Sequence, residues 1–193
     1  NQSEVDPIHK KRIFMDHENN IWLASKNLTY LIPDFNPDKT VNLAQFRMPG
    51  GDSIFRSIVC DSRGMMWFGG RFGNVTRYDP DRRTEEINSL YISEGKTSYD
   101  GIHLINEDAE GNLWFAPYER GLYRYVRSVE RFEFVIPYRN FHSEIPDRSM
   151  IDHFIDSNGN HWLLTAGGVY TISMPGMQII EHKELYPDGI NSI

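Results

Sequence analysis

The 193-residue sequence contains a single cysteine, Cys60, and no long apolar run. One thiol excludes an internal disulfide framework and a thiolate metal site. Cys60 has no partner base nearby in the sequence, so we interpret it as a buried spectator rather than a nucleophile. No stretch approaches 18 apolar residues and no charged start precedes an apolar block, so these residues contain neither a membrane span nor a signal peptide. The chain starts with Asn rather than Met, which predicts a processed or excised piece of a longer protein.

Positive charge is scarce as well. The chain has 20 Lys and Arg against 27 Asp and Glu, a net charge of −7, and its longest basic run is the three residues from Lys10 to Arg12. Phosphate binding needs a basic face, so a nucleic-acid partner is not expected. The 39% hydrophobic and 13% aromatic content is that of a globular domain rather than a disordered one.

One seven-residue motif occurs four times, as DHENNIW, DSRGMMW, DAEGNLW and DSNGNHW. An Asp followed three places later by Gly predicts a type I turn closed by a G1 bulge in a tight hairpin. The copy without Gly has Asn19, the next most tolerant residue of the left-handed region. The motif spans Asp16 to Trp22, Asp61 to Trp67, Asp108 to Trp114 and Asp156 to Trp162, with successive Asp residues 45, 47 and 48 positions apart.

Four short β-rich runs surround each motif, and four such units follow one another. Four strands per unit at this period predict an all-β fold, a β-propeller fragment of about four blades with four antiparallel strands each. The runs at each Trp are apolar at successive positions, so we expect these second strands to be buried on both faces. The predicted blades cover about residues 10–49, 52–96, 99–146 and 147–187, and residues 188–193 (DGINSI) read as the start of a further blade.

The sequence leaves open how many blades the complete ring contains and how the ring closes. A fragment of a longer ring, a closed four-bladed ring and two halves paired into an eight-bladed assembly all fit the pattern. An open half-ring would leave two apolar blade faces bare and would not stay monomeric for long.

The pattern of an inner strand, D-x-x-G-x-x-W, a gap and G-L-Y-x-Y resembles the two-component regulator propeller repeat. The third copy, INEDAEGNLWFAPYERGLYRYV, matches that repeat best, and the resemblance covers about residues 10–193. This family supplies the extracytoplasmic sensor region of hybrid two-component histidine kinases, many from gut Bacteroidetes that sense polysaccharide breakdown products. The resemblance implies a periplasmic sensor module and a parent with two seven-bladed propellers, an immunoglobulin-like domain, a membrane span, a kinase, and receiver and DNA-binding domains.

None of that downstream machinery lies in this chain, so we expect no enzyme activity and no cofactor here. The four Asp residues stand about 45 positions apart, which favours turn capping over a calcium site, and the four Trp residues are expected in the core. The loose group of Asp152, His153 and Asp156 is weak evidence for a metal, and none is predicted. The expected partners are a small ligand, the remaining blades and a second copy in a homodimer.

Ligand binding is predicted on the face opposite the Asp turns. There the loops between second and third strands, and between units, stop repeating and carry arginine and aromatic side chains suited to carboxylated or hydroxyl-rich sugars. An oligosaccharide is therefore the expected ligand. The candidate ligand-binding residues are Arg71, Phe72, Tyr99, Asp100, Tyr118, Glu119, Arg120 and Arg148.

Two other functions remain open at this level. A propeller lyase or glycosidase would place carboxylates and histidines on inner strands, where His103, Asp152 and His153 are predicted to lie. A purely structural propeller would supply a dimerisation surface without any ligand.

Overall fold

The computed structural model describes residues 12–25, 28–33, 35–36, 44–46, 55–70, 73–90, 101–117, 121–136, 145, 150–174 and 176–186. These residues form four antiparallel sheets, each made of four strands that follow one another in the chain. The prediction of an all-β propeller fragment built from four-stranded units is thereby confirmed. In the described part of the chain, no helix is both long enough and apolar enough to span a membrane.

The sixteen strands of the described residues are numbered in chain order. Sheet 1 contains β1 (Arg12–Met15), β2 (Ile21–Ser25), β3 (Leu28–Ile32) and β4 (Ala44–Phe46). Sheet 2 contains β5 (Phe55–Cys60), β6 (Met66–Gly70), β7 (Asn74–Asp79) and β8 (Thr84–Ser89). Sheet 3 contains β9 (Ile102–Glu107), β10 (Leu113–Pro117), β11 (Leu122–Val126) and β12 (Arg131–Ile136). Sheet 4 contains β13 (Met150–Ile155), β14 (His161–Thr165), β15 (Gly168–Ser173) and β16 (Gln178–Glu181), followed by a short 3₁₀ helix (Lys183–Leu185).

The four Asp turns have the same backbone geometry. The fourth turn residue donates its N–H to the Asp carbonyl at 2.9–3.2 Å and has a positive φ of 61° to 82°. That conformation explains why the position holds Gly in three copies and Asn in one. In every sheet the resulting register pairs the Trp with the residue two places before the Asp; these pairs are Phe14 with Trp22, Val59 with Trp67, Asn106 with Trp114 and Phe154 with Trp162.

Consecutive sheets stack face to face, with their first strands β1, β5, β9 and β13 side by side. The Trp of each of the first three sheets faces the next sheet. Trp22 contacts Phe68 with ring centroids 5.8 Å apart, and Trp67 contacts Phe115 at the same distance. Trp114 packs on His161 at 4.0 Å. These three indoles are 1–2% exposed and form the centres of the apolar layers between sheets.

The two outer faces of the stack are not covered by any described strand. Every residue of β6 and of β10 is buried, as expected for a second strand enclosed on both sides. In β14 buried and half-buried residues alternate, and Trp162 is half-buried. In β2 the buried Trp22 lies between the half-buried Ile21 and Leu23, so the expectation of double cover is wrong for the two outer sheets, 1 and 4. The reason is that each face of a second strand is shielded from water only when another sheet packs on that face. Exposed apolar side chains on the two outer faces are Ile13, Met15, Phe154 and Ile180.

Candidate functional site

All eight predicted ligand-binding residues lie outside the described residues: Arg71, Phe72, Tyr99, Asp100, Tyr118, Glu119, Arg120 and Arg148. The strands on either side of two of these segments are described. Strand β6 ends at Gly70 and β10 ends at Pro117, at the ends of the strands that lie away from the Asp turns. The predicted binding loops themselves lie outside the described residues, so their position stays a prediction.

Each turn carboxylate joins its own backbone to the indole of its hairpin. In all four copies Oδ1 accepts the backbone N–H of the residue four places on, at 2.7–3.0 Å. Oδ2 accepts the Nε1–H of the Trp six places on, at 2.7–3.0 Å. The motif is therefore a hydrogen-bonded unit in which the Asp orients the indole ring, and in the first three sheets that ring packs against the next sheet. The residues involved are Asp16, Asp61, Asp108 and Asp156 with Trp22, Trp67, Trp114 and Trp162.

In three of the four copies the Asp Oδ2 accepts a second hydrogen bond. The side-chain amide of the residue four places after the Asp donates to this oxygen at 2.9–3.1 Å, and the donors are Asn20, Asn112 and Asn160. The recurrence of Asn at this position was visible in the sequence and was missed there.

In sheet 2 the second donor to the Asp Oδ2 comes from a residue of sheet 3. Its turn has Met65 at the amide position, which has no donor, and Arg127 Nη2 instead approaches Asp61 Oδ2 to 2.8 Å. Arg127 also lies 3.0 Å from Glu107 Oε1, and the second oxygen of Glu107 accepts the Ser62 N–H at 2.7 Å. The side chains of Arg127 and Asp61 are 8% and 3% exposed, so this is a buried ion pair between two sheets. Sequence reasoning missed it because the partners are 66 residues apart without a periodic signal.

The pKa values of Asp156 and Cys60 fit a structural role for both side chains. The hydrogen bond from Trp162, together with those from Asn160 and Asn158, lowers the pKa of Asp156 to about 2. Burial, reinforced by the negative charge of Asp61, raises the pKa of Cys60 to about 11. At neutral pH the Asp156 carboxylate is ionised and accepts these hydrogen bonds, and the Cys60 thiol is protonated. Neither group has the properties of a catalytic acid or nucleophile under those conditions.

A polar cleft of about 570 Å³ opens at the Asp-turn face, lined by residues of sheets 1 and 2. One part of its wall is the sheet 1 turn with His17 and Glu18, and another is the β7–β8 turn with Asp81 and Arg82. Carboxylates predominate in the lining, and three arginines are interspersed: Arg63, Arg77 and Arg82. Carboxylates and guanidinium groups are the side chains that bind polar, hydroxyl-rich ligands. The sequence did not indicate this cleft, because its residues come from two sheets.

One of the two inner-strand histidines that an enzyme could use, His153, has both ring nitrogens in hydrogen bonds within the protein. His153 is 3% exposed; its Nδ1 lies 2.9 Å from the Asn106 amide nitrogen and its Nε2 lies 3.0 Å from His161 Nδ1. His103 lies half-buried on β9, and Asp152 lies exposed on β13, where its carboxylate accepts the His153 backbone N–H. Within the described ranges, no group of three or more His, Cys, Asp or Glu side chains has the arrangement of a metal site.

Solved structures similar to this chain include two bacterial extracellular domains. The extracellular domain of a protein named as a one-component system of B. thetaiotaomicron aligns with 98% of this chain and 24% of its own length, at 16% identity and a TM-score of 0.69. The extracellular domain of a protein named as a hybrid two-component system of the same organism aligns with 90% of this chain and 23% of its own, at 21% identity and a TM-score of 0.68.

An enzyme shares the same architecture. Virginiamycin B lyase from Staphylococcus aureus aligns with 88% of this chain and 53% of its own length, at 15% identity and a TM-score of 0.63. At such identities the likeness shows the fold alone, and this chain spans about a quarter of each extracellular domain and about half of the lyase. No model of a known protein family matches the sequence, and no curated protein matches it.

Proposed function

We propose that this chain is part of the extracytoplasmic, ligand-binding propeller of a hybrid two-component sensor histidine kinase, and that its ligand is an oligosaccharide. The observation that carries the proposal is the likeness in fold, over 98% and 90% of this chain, to two bacterial extracellular domains from signalling systems. The fourfold D-x-x-G-x-x-W repeat, with its resemblance to the two-component regulator propeller repeat, supports the same function independently.

The binding chemistry belongs to loops that do not repeat. The Asp turns are alike in all four sheets and are occupied by their own hydrogen bonds, so they form the constant face. The segments with Arg71, Phe72, Tyr118 and Arg120 are expected on the opposite face, and their sequences differ between units. Arginine forks bind hydroxyl and carboxylate groups, and aromatic rings stack on the apolar faces of sugars.

Signalling requires partners outside this chain. In the proposed assembly the exposed apolar faces of sheets 1 and 4 pack against further blades, the ectodomain forms a homodimer in the periplasm, and ligand binding changes the spacing of the dimer across the membrane. The kinase chemistry then resides in another part of the protein, and this chain itself is not an enzyme. Support for the lyase alternative is weaker, because both ring nitrogens of His153 are engaged within the sheets.

Isothermal titration of the complete extracytoplasmic region against a panel of plant and host glycan fragments tests the proposal. We expect at least one fragment to bind, and Arg120→Ala to weaken its binding about tenfold or more, since a lost charged hydrogen bond costs about 1.5–3 kcal/mol. Arg131→Ala is the matched control, because Arg131 is an exposed arginine on the outer strand β12.

Three outcomes would count against parts of the proposal. Silence across the panel would contradict oligosaccharide sensing, and persistence of the dimer without any ligand would then favour a structural propeller. Binding that is weakened by Arg63→Ala and not by Arg120→Ala would move the site to the cleft on the Asp-turn face. Turnover of a chromogenic glycan or lyase substrate that is lost in His103→Ala would instead identify an enzyme.

A further inference from the structure

One contact position between sheets is apolar at two junctions and polar at the third. Three residues meet at this position. The first lies two places before the turn Asp of one sheet. The other two belong to the next sheet, where one lies three places before the turn Asp and the other lies directly before the Trp. Between sheets 1 and 2 these residues are Phe14, Ile58 and Met66, and between sheets 2 and 3 they are Val59, Ile105 and Leu113. Between sheets 3 and 4 they are Asn106, His153 and His161.

The three polar side chains form a chain of hydrogen bonds. The Asn106 amide nitrogen lies 2.7 Å from the backbone oxygen of His153 and 2.9 Å from the Nδ1 of the same residue. His153 Nε2 lies 3.0 Å from His161 Nδ1, and the two rings are parallel within 6°. The chain thus joins β9 of sheet 3 to β13 and β14 of sheet 4.

The proton positions in this hydrogen-bonded series follow from its first member, the Asn106 amide. A backbone oxygen only accepts, so the Asn106 amide nitrogen must face it, and the second amide hydrogen then donates to His153 Nδ1. His153 must therefore carry its proton on Nε2 and donate it to His161 Nδ1. Both rings are neutral Nε2–H tautomers in this arrangement. A further proton on either Nδ1 would place two N–H donors face to face.

The surroundings favour the neutral rings. His153 and His161 are 3% and 2% exposed, and Trp114 packs on the second ring. Burial lowers the pKa of His153 to about 3, with a smaller contribution from His161, and burial lowers the pKa of His161 to about 4.

The charged groups near His161 oppose one another and do not restore its basicity. Asp108 and Asp156 favour its protonation, and Arg124 opposes it. Both carboxylates already accept hydrogen bonds from their own indoles. Arg124 lies over the Trp114 ring and pairs with Glu133 at 2.8 Å. Beside His153, the exposed Asp152 binds the backbone N–H rather than the ring.

We propose that Asn106, His153 and His161 form an acid-sensitive joint, at which sheet 4 separates from sheet 3 when the imidazoles take up protons. The joint responds to the acidity of the surroundings and needs no ligand, so it goes beyond the proposed sensing of an oligosaccharide. The direction follows from linkage: the stability supplied by neutral rings is complete above the unfolded-state pKa of about 6.5. It is lost progressively as the pH falls from there toward the lower folded-state pKa values.

The matched variant is taken from the other junctions. Asn106→Val, His153→Ile and His161→Leu together reproduce the residues found between sheets 2 and 3. Between pH 7 and pH 4.5 the equilibrium constant for urea unfolding of the 193-residue chain should rise about 10³- to 10⁴-fold more for wild type than for this triple variant. Equal pH profiles for the two proteins would overturn the joint.

Two measurements on the wild-type chain keep the proposal testable if the triple variant does not fold. Nitrogen-detected NMR at pH 5.5 should show both rings as neutral Nε2–H tautomers, and titration of either ring near pH 6.5 would overturn the assignment. Hydrogen exchange corrected for intrinsic rates should speed up in sheet 4 on going from pH 7 to pH 4.5, with sheet 1 and sheet 2 changed at least tenfold less. Uniform acceleration across all four sheets would contradict a local joint.

Discussion

Replacing Arg127 with methionine is expected to lower the free energy of unfolding by about 3–5 kcal/mol, because the change leaves the buried carboxylate of Asp61 without its cation. Arg127 lies 2.8 Å from Asp61 and 3.0 Å from Glu107, and it is the residue that takes the place of the missing turn amide in sheet 2. Urea denaturation of the variant and of wild type measures the loss. The control is Arg131→Met, since the Arg131 side chain is 70% exposed and its pair with Glu133 should contribute at most about 1 kcal/mol.

The repeat itself supplies a rescue for this variant. Adding Met65→Asn to Arg127→Met introduces, at the amide position, the donor that the other three turns use. We expect the double variant to recover about 1.5–3 kcal/mol, the usual contribution of a hydrogen bond to a charged acceptor. An equal loss in the Arg127 and Arg131 variants would show that the buried pair does not hold sheets 2 and 3 together. A double variant no more stable than Arg127→Met would contradict the interpretation of the amide position.

Replacing Trp67 with alanine should cost about 3–5 kcal/mol, the usual range for a fully buried large aromatic residue. Trp67 is 1% exposed and contacts Phe115, Tyr125 and Phe132 of sheet 3. Trp162→Ala is the matched comparison, because Trp162 is half-buried and its contacts are with Phe154 and His182 of its own sheet.

The second variant should cost clearly less, about 1–2 kcal/mol, since less apolar area returns to water. In both variants the turn carboxylate keeps another donor, Arg127 for Asp61 and Asn160 for Asp156, so the comparison isolates the packing between sheets. Thermal and urea unfolding give the two values. Equal losses for Trp67 and Trp162 would mean that stacking on the next sheet does not determine how much each indole contributes.

The fold was predictable because its main determinants are local. A turn Asp and a residue of positive φ define each hairpin, and the hairpin in turn fixes which residue faces the Trp across the strands. Four repeats of that unit leave few architectures other than stacked blades. What the sequence analysis could not provide was cover from the next sheet, which is why Trp162 was expected to be buried and is not.

Contacts between sheets were harder to predict, for a different physical reason. The Asp61–Arg127 pair depends on two departures from the repeat, Met65 in one sheet and an arginine in the next, and neither alone indicates a partner. The Asn106–His153 contact likewise requires knowledge of how β9 of sheet 3 lies against β13 of sheet 4. The predicted ligand loops stay a prediction, because residues such as Arg71 and Arg120 lie outside the described part of the chain.

The central claim is that the Asp-turn face is a constant scaffold and that the opposite loops bind the ligand. Hydrogen exchange of the complete extracytoplasmic region, with and without the glycan fragment that gives the largest heat of binding, tests it most directly. Slower exchange is predicted in peptides covering residues 71–72, 99–100 and 118–120, with no change in the four turns that begin at Asp16, Asp61, Asp108 and Asp156. Protection confined to those turns, with the loops unchanged, would contradict the account.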